Sequence, residues 1–157
     1  MTSGSSDPAN GDAVINPDGT VTYSPDADFH GEDTFTYTVD DDNGGQATGT
    51  ITVTVKPVND DPTAADNNTM TDEDTPRLVP VLDGDDDIDG DTLTVTMVSD
   101  PANGSAVINV DNTVTYTPDA NFHGEDSFTY TISDGNGGEA TATVNITVNP
   151  VNDDPDA

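Results

Sequence analysis

An internal repeat is the feature that most constrains the fold of this chain. Residues 7–64 align without a gap on residues 100–157, at a constant offset of 93 residues (100 minus 7). The segment DPANGDAVINPDGTVTYSPDADFHGEDTFTYTV corresponds to DPANGSAVINVDNTVTYTPDANFHGEDSFTYTI. Solenoid repeats are shorter, about 20 to 50 residues. The sequence therefore predicts tandem modules, each of a size that suits a β-sandwich.

The second module, from about Thr63 to Val151, has the periodicity of β-strands. Runs of alternating or β-branched residues are separated by clusters of Asp, Asn, Gly and Pro. One apolar and one polar face per strand are typical of two packed sheets. The fold class is predicted to be all-β, a sandwich with seven strands. The predicted strands are 67–71, 77–82, 92–99, 105–110, 113–117, 126–133 and 139–149.

The first module is shorter than the second. The repeat begins at the equivalent of Asp100, so residues 1–61 are predicted to hold the last four strands and the linker of a truncated module. Residues 62–157 are predicted to form the complete module with its own linker. Four strands would leave a core face exposed, so we do not expect the first module to be stable alone.

The charge balance excludes several classes of partner. The chain has 32 acidic residues and two basic ones, with a formal net charge of −30. Binding to nucleic acid or to an anionic membrane requires Lys and Arg, so neither is an expected partner. No apolar run has the length of a membrane span, and no direct membrane insertion is expected. Cysteine is absent, which excludes disulfides and thiolate metal sites.

Two proline-bracketed joints, 56–62 and 149–155, concentrate amide and carboxylate side chains. Asn59, Asp60 and Asp61 recur as Asn152, Asp153 and Asp154. None of these six residues is basic, so a divalent cation is the natural counter-charge for their carboxylates. Calcium prefers oxygen ligands of this kind.

A second acidic cluster, DGDDDIDGD at 83–91, predicts further calcium ligands at Asp85, Asp87, Asp89 and Asp91. An EF-hand loop is rejected, because Thr96 occupies the position of its bidentate Glu. The alternative is a solvated acidic loop, which is hard to reconcile with so few basic residues in the chain.

Two further motifs carry candidate ligands. Asp134 begins the hairpin DGNGG, which predicts a turn and, in addition, a ligand at the strand end. Glu125 and Asp126, and their copies Glu32 and Asp33, are plausible calcium ligands at the end of each module; which member of the pair binds is left open. The two histidines lack zinc-site neighbours, and no enzyme signature is present.

With TMTDEDTP, VLDGDDDIDGDTLTV and VNDDP in this order, the chain resembles the cadherin-like (Ig-like) tandem repeats of large bacterial surface and RTX-type adhesins. The resemblance implies a Greek-key sandwich with Ca²⁺ at the junctions between repeats. It adds Glu73 as a first-strand ligand, and it supports the roles of the linker and hairpin residues and of Asp87 and Asp89. A largely complete site is expected at the first joint and a weak or empty one at the second.

The predicted function is that of a non-enzymatic, calcium-binding extracellular module of a bacterial adhesin, secreted or at the cell surface, with neighbouring repeats as its partners. The alternative is a recognition module that binds carbohydrate or another copy of itself. Exposed tyrosines would favour carbohydrate binding, because sugar platforms use exposed aromatic rings. Burial of Tyr23, Tyr37, Tyr116 and Tyr130 would favour the calcium-stabilised spacer.

Overall fold

The computed structural model describes residues 2–41 and 43–152, which form twelve β-strands and no helix. The chain divides into two compact units, Met1–Val58 (unit 1) and Asn59–Ala157 (unit 2). None of the described residues belongs to a helix that could cross a membrane. The strands are β1 Thr2–Ser5, β2 Gly11–Ile15, β3 Val21–Pro25, β4 Gly31–Asp40, β5 Gln46–Val55, β6 Asn67–Asp72, β7 Arg77–Val79, β8 Thr94–Val98, β9 Gly104–Ile108, β10 Val114–Pro118, β11 Gly124–Ser133 and β12 Glu139–Asn149.

Unit 2 is a sandwich of seven strands in two sheets. One sheet has the order β6-β12-β11-β8 and the other β7-β10-β9. All neighbouring strands are antiparallel except β6, which runs parallel to β12. The predicted all-β class is confirmed, and each predicted strand of this module has an observed counterpart. The second and third strands, β7 and β8, are shorter than predicted because turns and irregular backbone flank them.

The core of unit 2 follows from the alternation along its strands. On β12, every second side chain from Ala142 to Val148 is buried, while Thr141, Asn145 and Thr147 face solvent. Apolar residues of both sheets form one cluster with these side chains, including Val79 and Val81 from the β7 segment. Full burial of an aliphatic or aromatic side chain stabilises a fold by about 1.5–3 kcal/mol.

Unit 1 has five strands, where the sequence predicts four. The extra strand, β1, pairs with β4 as β8 pairs with β11. Thr2 is opposite Val39, and the corresponding pair in unit 2 is Val95 and Ile132. The two segments have unrelated sequences. Antiparallel pairing uses backbone groups, so an extended TSGS segment can fill the position although it carries no strand pattern.

Among its described residues, unit 1 buries few apolar side chains. Apart from Pro8, Phe35 is the one apolar side chain among residues 2–41 and 43–58 that is fully buried. Its ring stacks on Tyr23 at a centroid distance of 6.0 Å. Ile51, Val53 and Val55 on β5 are half-exposed, because unit 1 has no strands equivalent to β6 and β7 among its described residues.

Candidate metal centre

The acidic loop between β7 and β8 brings three predicted ligands together. Asp87, Asp89 and Asp91 each offer a carboxylate oxygen, and these oxygens lie within 4.8 Å of one another. Calcium takes six to eight oxygen ligands at about 2.3–2.6 Å, so three converging carboxylates supply part of such a shell. The donor set contains oxygen alone, which suits a hard divalent cation.

Asp87 is the buried member of this group. Its side chain is 8% exposed. Oδ1 accepts hydrogen bonds from the backbone amides of Asp89 at 3.0 Å and Asp91 at 3.2 Å, which turn the loop around the carboxylate. Oδ2 is buried and has no hydrogen-bond partner. A buried carboxylate oxygen without a partner is costly, and a bound cation would satisfy it.

The linker residues of the first joint lie against this loop. The backbone amide of Asp60 donates to Asp89 Oδ2 at 2.8 Å. The side-chain amide of Asn59 donates to Asp134 Oδ2 at 2.7 Å. Within unit 2, the predicted linker ligands are therefore connected to both the acidic loop and the β11–β12 hairpin.

Gly138 lets two carboxylates approach the hairpin. A Cβ at this position would lie 2.3 Å from Asp134 Oδ2 and 2.9 Å from Asp61 Oδ1. Any side chain here would displace one of these oxygens. Because Gly138 has no side chain, the carboxylates of the linker residue Asp61 and the hairpin residue Asp134 can both lie against it.

Asp134 organises its own turn. Its Oδ1 accepts backbone hydrogen bonds from Asn136, Gly137 and Gly138 at 2.7, 3.0 and 3.0 Å. The pKa of Asp134 is lowered, chiefly by the hydrogen bond from the Asn59 amide; burial opposes the shift and the turn amides add to it. The side chain is therefore an anion at neutral pH, and to bind a metal it would have to exchange some of these donors.

Asn136 also belongs to this region, and the sequence analysis did not single it out. Its side-chain amide donates to Asp91 Oδ2 at 2.7 Å. Asn-Gly pairs are so typical of hairpin turns that a second role gives no separate sequence signal. Rotation of the amide would direct its oxygen toward the acidic loop instead.

Asp85 lies apart from the three converging aspartates. Its Oδ1 accepts hydrogen bonds from the backbone amide of Ala65 at 2.7 Å and from the Tyr130 hydroxyl at 2.9 Å. Burial, followed by the adjacent Asp85 carboxylate, raises the pKa of Tyr130, so its hydroxyl remains a donor. These contacts connect the loop to the core.

Glu73 is the buried carboxylate at the opposite end of unit 2. It is 7% exposed. Oε1 accepts a short hydrogen bond from the Val151 amide, and Oε2 lies 3.7 Å from His123 Nδ1. The exposed Asn152 follows directly in the second joint. Asp153 and Asp154, the other predicted ligands of that joint, lie outside the described residues.

Glu125 and Asp126 face opposite sides of β11. Glu125 is exposed, and both its oxygens are within hydrogen-bond distance of the Thr147 hydroxyl, at 3.1 and 3.3 Å. Asp126 points inward and is 8% exposed. The copy of this pair in unit 1 repeats the pattern, with Glu32 exposed and Asp33 buried. The alternation along the strand separates the two candidates that the sequence left open.

Asp126 accepts four hydrogen bonds, two of them from the preceding DPAN loop, in an arrangement that we call the carboxylate clasp. Oδ1 accepts from the amides of Ala102 at 3.1 Å and Ser127 at 2.9 Å. Oδ2 accepts from the amide of Asn103 at 3.0 Å and the hydroxyl of Tyr116 at 2.9 Å. With both oxygens used in this way, the residue has a structural role that the sequence analysis did not identify.

The carboxylate clasp recurs in unit 1 around Asp33. Its oxygens accept from the amides of Ala9, Asn10 and Thr34 at 3.1, 2.9 and 2.9 Å, and from the Tyr23 hydroxyl at 3.1 Å. Burial acts to raise the pKa of Asp33, but these hydrogen bonds outweigh it and the net pKa is lowered. The repeat of Tyr, Asp and the DPAN loop at the 93-residue offset was the available sequence signal.

A family model for the bacterial Ig domain matches residues 1–54 and 59–147. The plant protein GAMETE EXPRESSED 2 from Arabidopsis thaliana is 48% identical over 59 residues, which are 38% of this chain and 6% of that protein. The chain therefore spans only a small part of this relative.

Two solved structures illustrate the structural likeness. The protocadherin gammaB7 EC3-6 cis-dimer has a TM-score of 0.52 at 17% identity, over 95% of this chain and 40% of that one. An endo-fucoidan hydrolase of glycoside hydrolase family 107 has a TM-score of 0.43 at 24% identity, over 97% of this chain and 23% of that one. At these identities the protocadherin match supports the cadherin-like fold alone.

Proposed function

This chain belongs to the bacterial Ig domain family, and we propose that it is a calcium-binding spacer module of an extracellular adhesin, in which Ca²⁺ at the repeat junctions fixes neighbouring modules. The family is a non-enzymatic fold typical of extracellular and surface proteins. We propose that this chain, too, has no catalytic activity of its own. Its partners are then the neighbouring repeats.

The observation that carries this proposal is the unpartnered Oδ2 of Asp87. Oδ2 is buried, while Oδ1 is held by two backbone amides of the same loop. Asp89 and Asp91 converge on the same place. In a chain with a formal net charge of −30, these carboxylates repel one another unless a cation joins them.

The linker and the hairpin complete the ligand set on the unit 2 side of the first joint. Asn59, Asp60 and Asp61 already contact, or lie beside, the loop and hairpin carboxylates. In each module's acidic pair we assign the ligand to the exposed Glu, Glu32 or Glu125, because the carboxylate clasp uses both oxygens of the neighbouring Asp. Glu73 and Asn152 would serve the second joint.

The experiment is a thermal melt of the full chain in chelator and in millimolar Ca²⁺, with Mg²⁺ as the ionic control. Extracellular calcium modules have a Kd of about 10⁻⁴–10⁻³ M. One millimolar Ca²⁺ is then about one to ten times Kd, and binding at one site adds about 0.4–1.4 kcal/mol to the free energy of unfolding. We expect a calcium-specific rise in Tm and little response to Mg²⁺.

A matched pair of variants locates the site. Asp87→Asn removes the buried ligand and is expected to abolish most of the calcium-dependent rise in Tm. Asp83→Asn removes the same charge from an exposed position of the same loop and should retain the rise. Equal responses from the two variants would mean that calcium acts only as a diffuse counter-ion.

Carbohydrate binding has less support. Tyr116 and Tyr130 are fully buried, and Tyr23 and Tyr37 are half-buried, so no tyrosine is freely exposed for stacking on a sugar. Self-association fits the fold better, because a protocadherin with this fold is known as a cis-dimer. Sedimentation of the full chain with and without Ca²⁺ would measure it.

A further inference from the structure

Four Asn-Gly pairs occur in the chain and recur at the 93-residue offset. Two precede the strands β2 and β9, and two lie in the β4–β5 and β11–β12 turns; they are 10–11, 103–104, 43–44 and 136–137. In such a pair the glycine nitrogen can attack the side-chain carbonyl carbon of the asparagine, because glycine has no side chain to block the approach. Whether a pair reacts in the folded protein depends on how its backbone and side-chain amides are held.

The pair in the β11–β12 turn is held at both reacting groups. The amide of Gly137 donates to Asp134 Oδ1 at 3.0 Å. The side-chain amide of Asn136 donates to Asp91 Oδ2 at 2.7 Å. Attack requires that the glycine nitrogen lose its proton and that the asparagine side chain rotate over it, so both hydrogen bonds must first break.

The equivalent pair in the β4–β5 turn has a free glycine amide. Asp41 Oδ1 accepts hydrogen bonds from the amides of Asn43 at 2.9 Å and Gly45 at 2.7 Å. The amide of Gly44 between them has no acceptor among the described residues. The exposed side chain of Asn43 donates to the backbone oxygen of Asp41 at 3.2 Å, within the same turn. The reacting nitrogen of this pair is therefore accessible, whereas that of its copy is not.

One position of the sequence accounts for the difference between the two turns. Gly135 has a φ of +80°, which glycine adopts readily. This conformation lets one carboxylate, that of Asp134, accept from the amides of residues 136, 137 and 138. The repeat has Asp42 where unit 2 has Gly135, and a residue with a side chain is strained at such a φ.

The two pairs beside the carboxylate clasps are restrained by the backbone. The amide of Asn10 donates to Asp33 Oδ2 at 2.9 Å, and its carbonyl oxygen accepts from the amide of Asp26 at 3.0 Å. A Cβ on Gly11 would lie 2.4 Å from a backbone oxygen of β3, so this glycine is tightly enclosed. The pair 103–104 repeats these contacts.

We propose that Asn43 is a site of spontaneous deamidation and that Asp134 protects the equivalent Asn136 from this reaction. The Gly44 nitrogen bonds to Cγ of Asn43, the Cγ–Nδ2 bond breaks, and ammonia leaves with the amide proton. Water then opens the cyclic imide. Opening at Cγ gives aspartate, and opening at the backbone carbonyl gives isoaspartate, in which the main chain runs through the side chain. Either product adds a carboxylate to the β4–β5 turn, and the reaction needs neither calcium nor a partner.

The test is to incubate the full chain in mildly alkaline buffer and to follow each Asn-Gly pair by peptide mapping with mass spectrometry. In the folded chain, Asn43 should convert about fivefold faster than Asn136, because a hydrogen bond of ordinary strength protects Gly137. In concentrated urea the two rates should become similar. Equal rates in the folded chain, or a difference that persists in urea, would overturn the proposal.

Asn10 distinguishes reaction in the folded turn from unfolding of unit 1. If Asn43 reacts while unit 1 is folded, Asn10 should convert more slowly than Asn43 in buffer and approach its rate in urea. Equal conversion of Asn10 and Asn43 in buffer would mean that the whole unit opens, and it would also overturn the proposal.

A reciprocal pair of variants tests the protecting turn. Asp42→Gly gives the first turn the Asp-Gly-Asn-Gly-Gly sequence of the second, so conversion of Asn43 relative to its rate in urea should fall about fivefold. Gly135→Asp should raise the relative rate of Asn136 by a similar factor. Asn103 should stay slow in that variant, which reports that unit 2 remains folded. An unchanged relative rate in either variant would contradict protection by the turn.

Discussion

Tyr23 and Tyr116 occupy equivalent positions in the repeat. Tyr23 donates to Asp33 and stacks on Phe35, and Tyr116 donates to the equivalent Asp126 and stacks on the equivalent Phe128. Tyr116 is nevertheless fully buried, whereas Tyr23 is half-exposed. The local contacts are therefore set by the repeated sequence. Burial is set by the segment 63–82 of unit 2, which has no counterpart among the described residues of unit 1.

Shortening an apolar side chain on the inner face is expected to give the largest difference in stability between the two units. Ile146→Ala removes a fully buried side chain, and such changes cost about 2–5 kcal/mol. Val53→Ala at the equivalent position of unit 1 removes a half-exposed side chain and should cost under about 1.5 kcal/mol. Urea unfolding of both variants, with hydrogen exchange to assign each unit, measures this. Equal costs would mean that unit 1 has a closed core in solution.

The second largest difference in stability is expected from removal of the carboxylate clasp. Asp126→Ala leaves three amides and the Tyr116 hydroxyl without their acceptor, and we expect a loss of about 2–3 kcal/mol in the stability of unit 2. Asp33→Ala should cost less, because water can reach the half-exposed Tyr23. Denaturant melts would show the difference, and Asp126→Asn, which retains one acceptor oxygen, should recover part of the loss.

The hairpin glycines test whether the linker immobilises a carboxylate. A Cβ on Gly138 would meet Asp134 Oδ2, which Asn59 holds in place, so Gly138→Ala should cost about 1–3 kcal/mol. A Cβ on Gly45 would come within 2.5 Å of Asp41 Oδ2. That side chain is held by its own turn and can move, so Gly45→Ala should have a smaller effect on Tm. If Gly138→Ala and Gly45→Ala lower Tm by the same amount, the linker does not hold the Asp134 carboxylate in place.

The smallest effect is expected in the dependence of each unit's stability on acid pH. The pKa of Asp41 is lowered by hydrogen bonds from the turn amides of Asn43 and Gly45, and that of Asp134 chiefly by the Asn59 side chain. A lowered pKa in the folded state stabilises the fold above the unfolded value, about 3.9, and this is lost as the pH falls through the folded value. The free energy of unfolding, plotted against pH between pH 6 and pH 3, should therefore change less for Asp134→Asn and for Asp41→Asn than for the unchanged chain. An unchanged slope would indicate that these turns open before the units unfold.

The strands could be predicted because they depend on local alternation. The runs around Val144 and Val95 bury one face and expose the other, and both became strands. β1 could not be predicted, because TSGS has no apolar pattern and is held by the backbone of β4.

The candidate site was predicted in composition and only partly in geometry. Asp87, Asp89 and Asp91 converge because alternate residues of a tight loop turn inward. The inward position of Asp126 depends on its place in β11, and the contact of Asp85 with Tyr130 crosses 45 residues of sequence. Such long-range partners are not evident from a cluster of identical residue types.

The parallel pairing of β6 with β12 has a mechanical consequence. β6 follows the linker by which the chain enters unit 2, and β12 leads into the linker by which the chain leaves it. A pulling force applied through the two linkers therefore acts along both strands in opposite directions. It loads the row of hydrogen bonds between them in shear, so that many bonds resist at once. Unit 1 has no such parallel pair among its described strands.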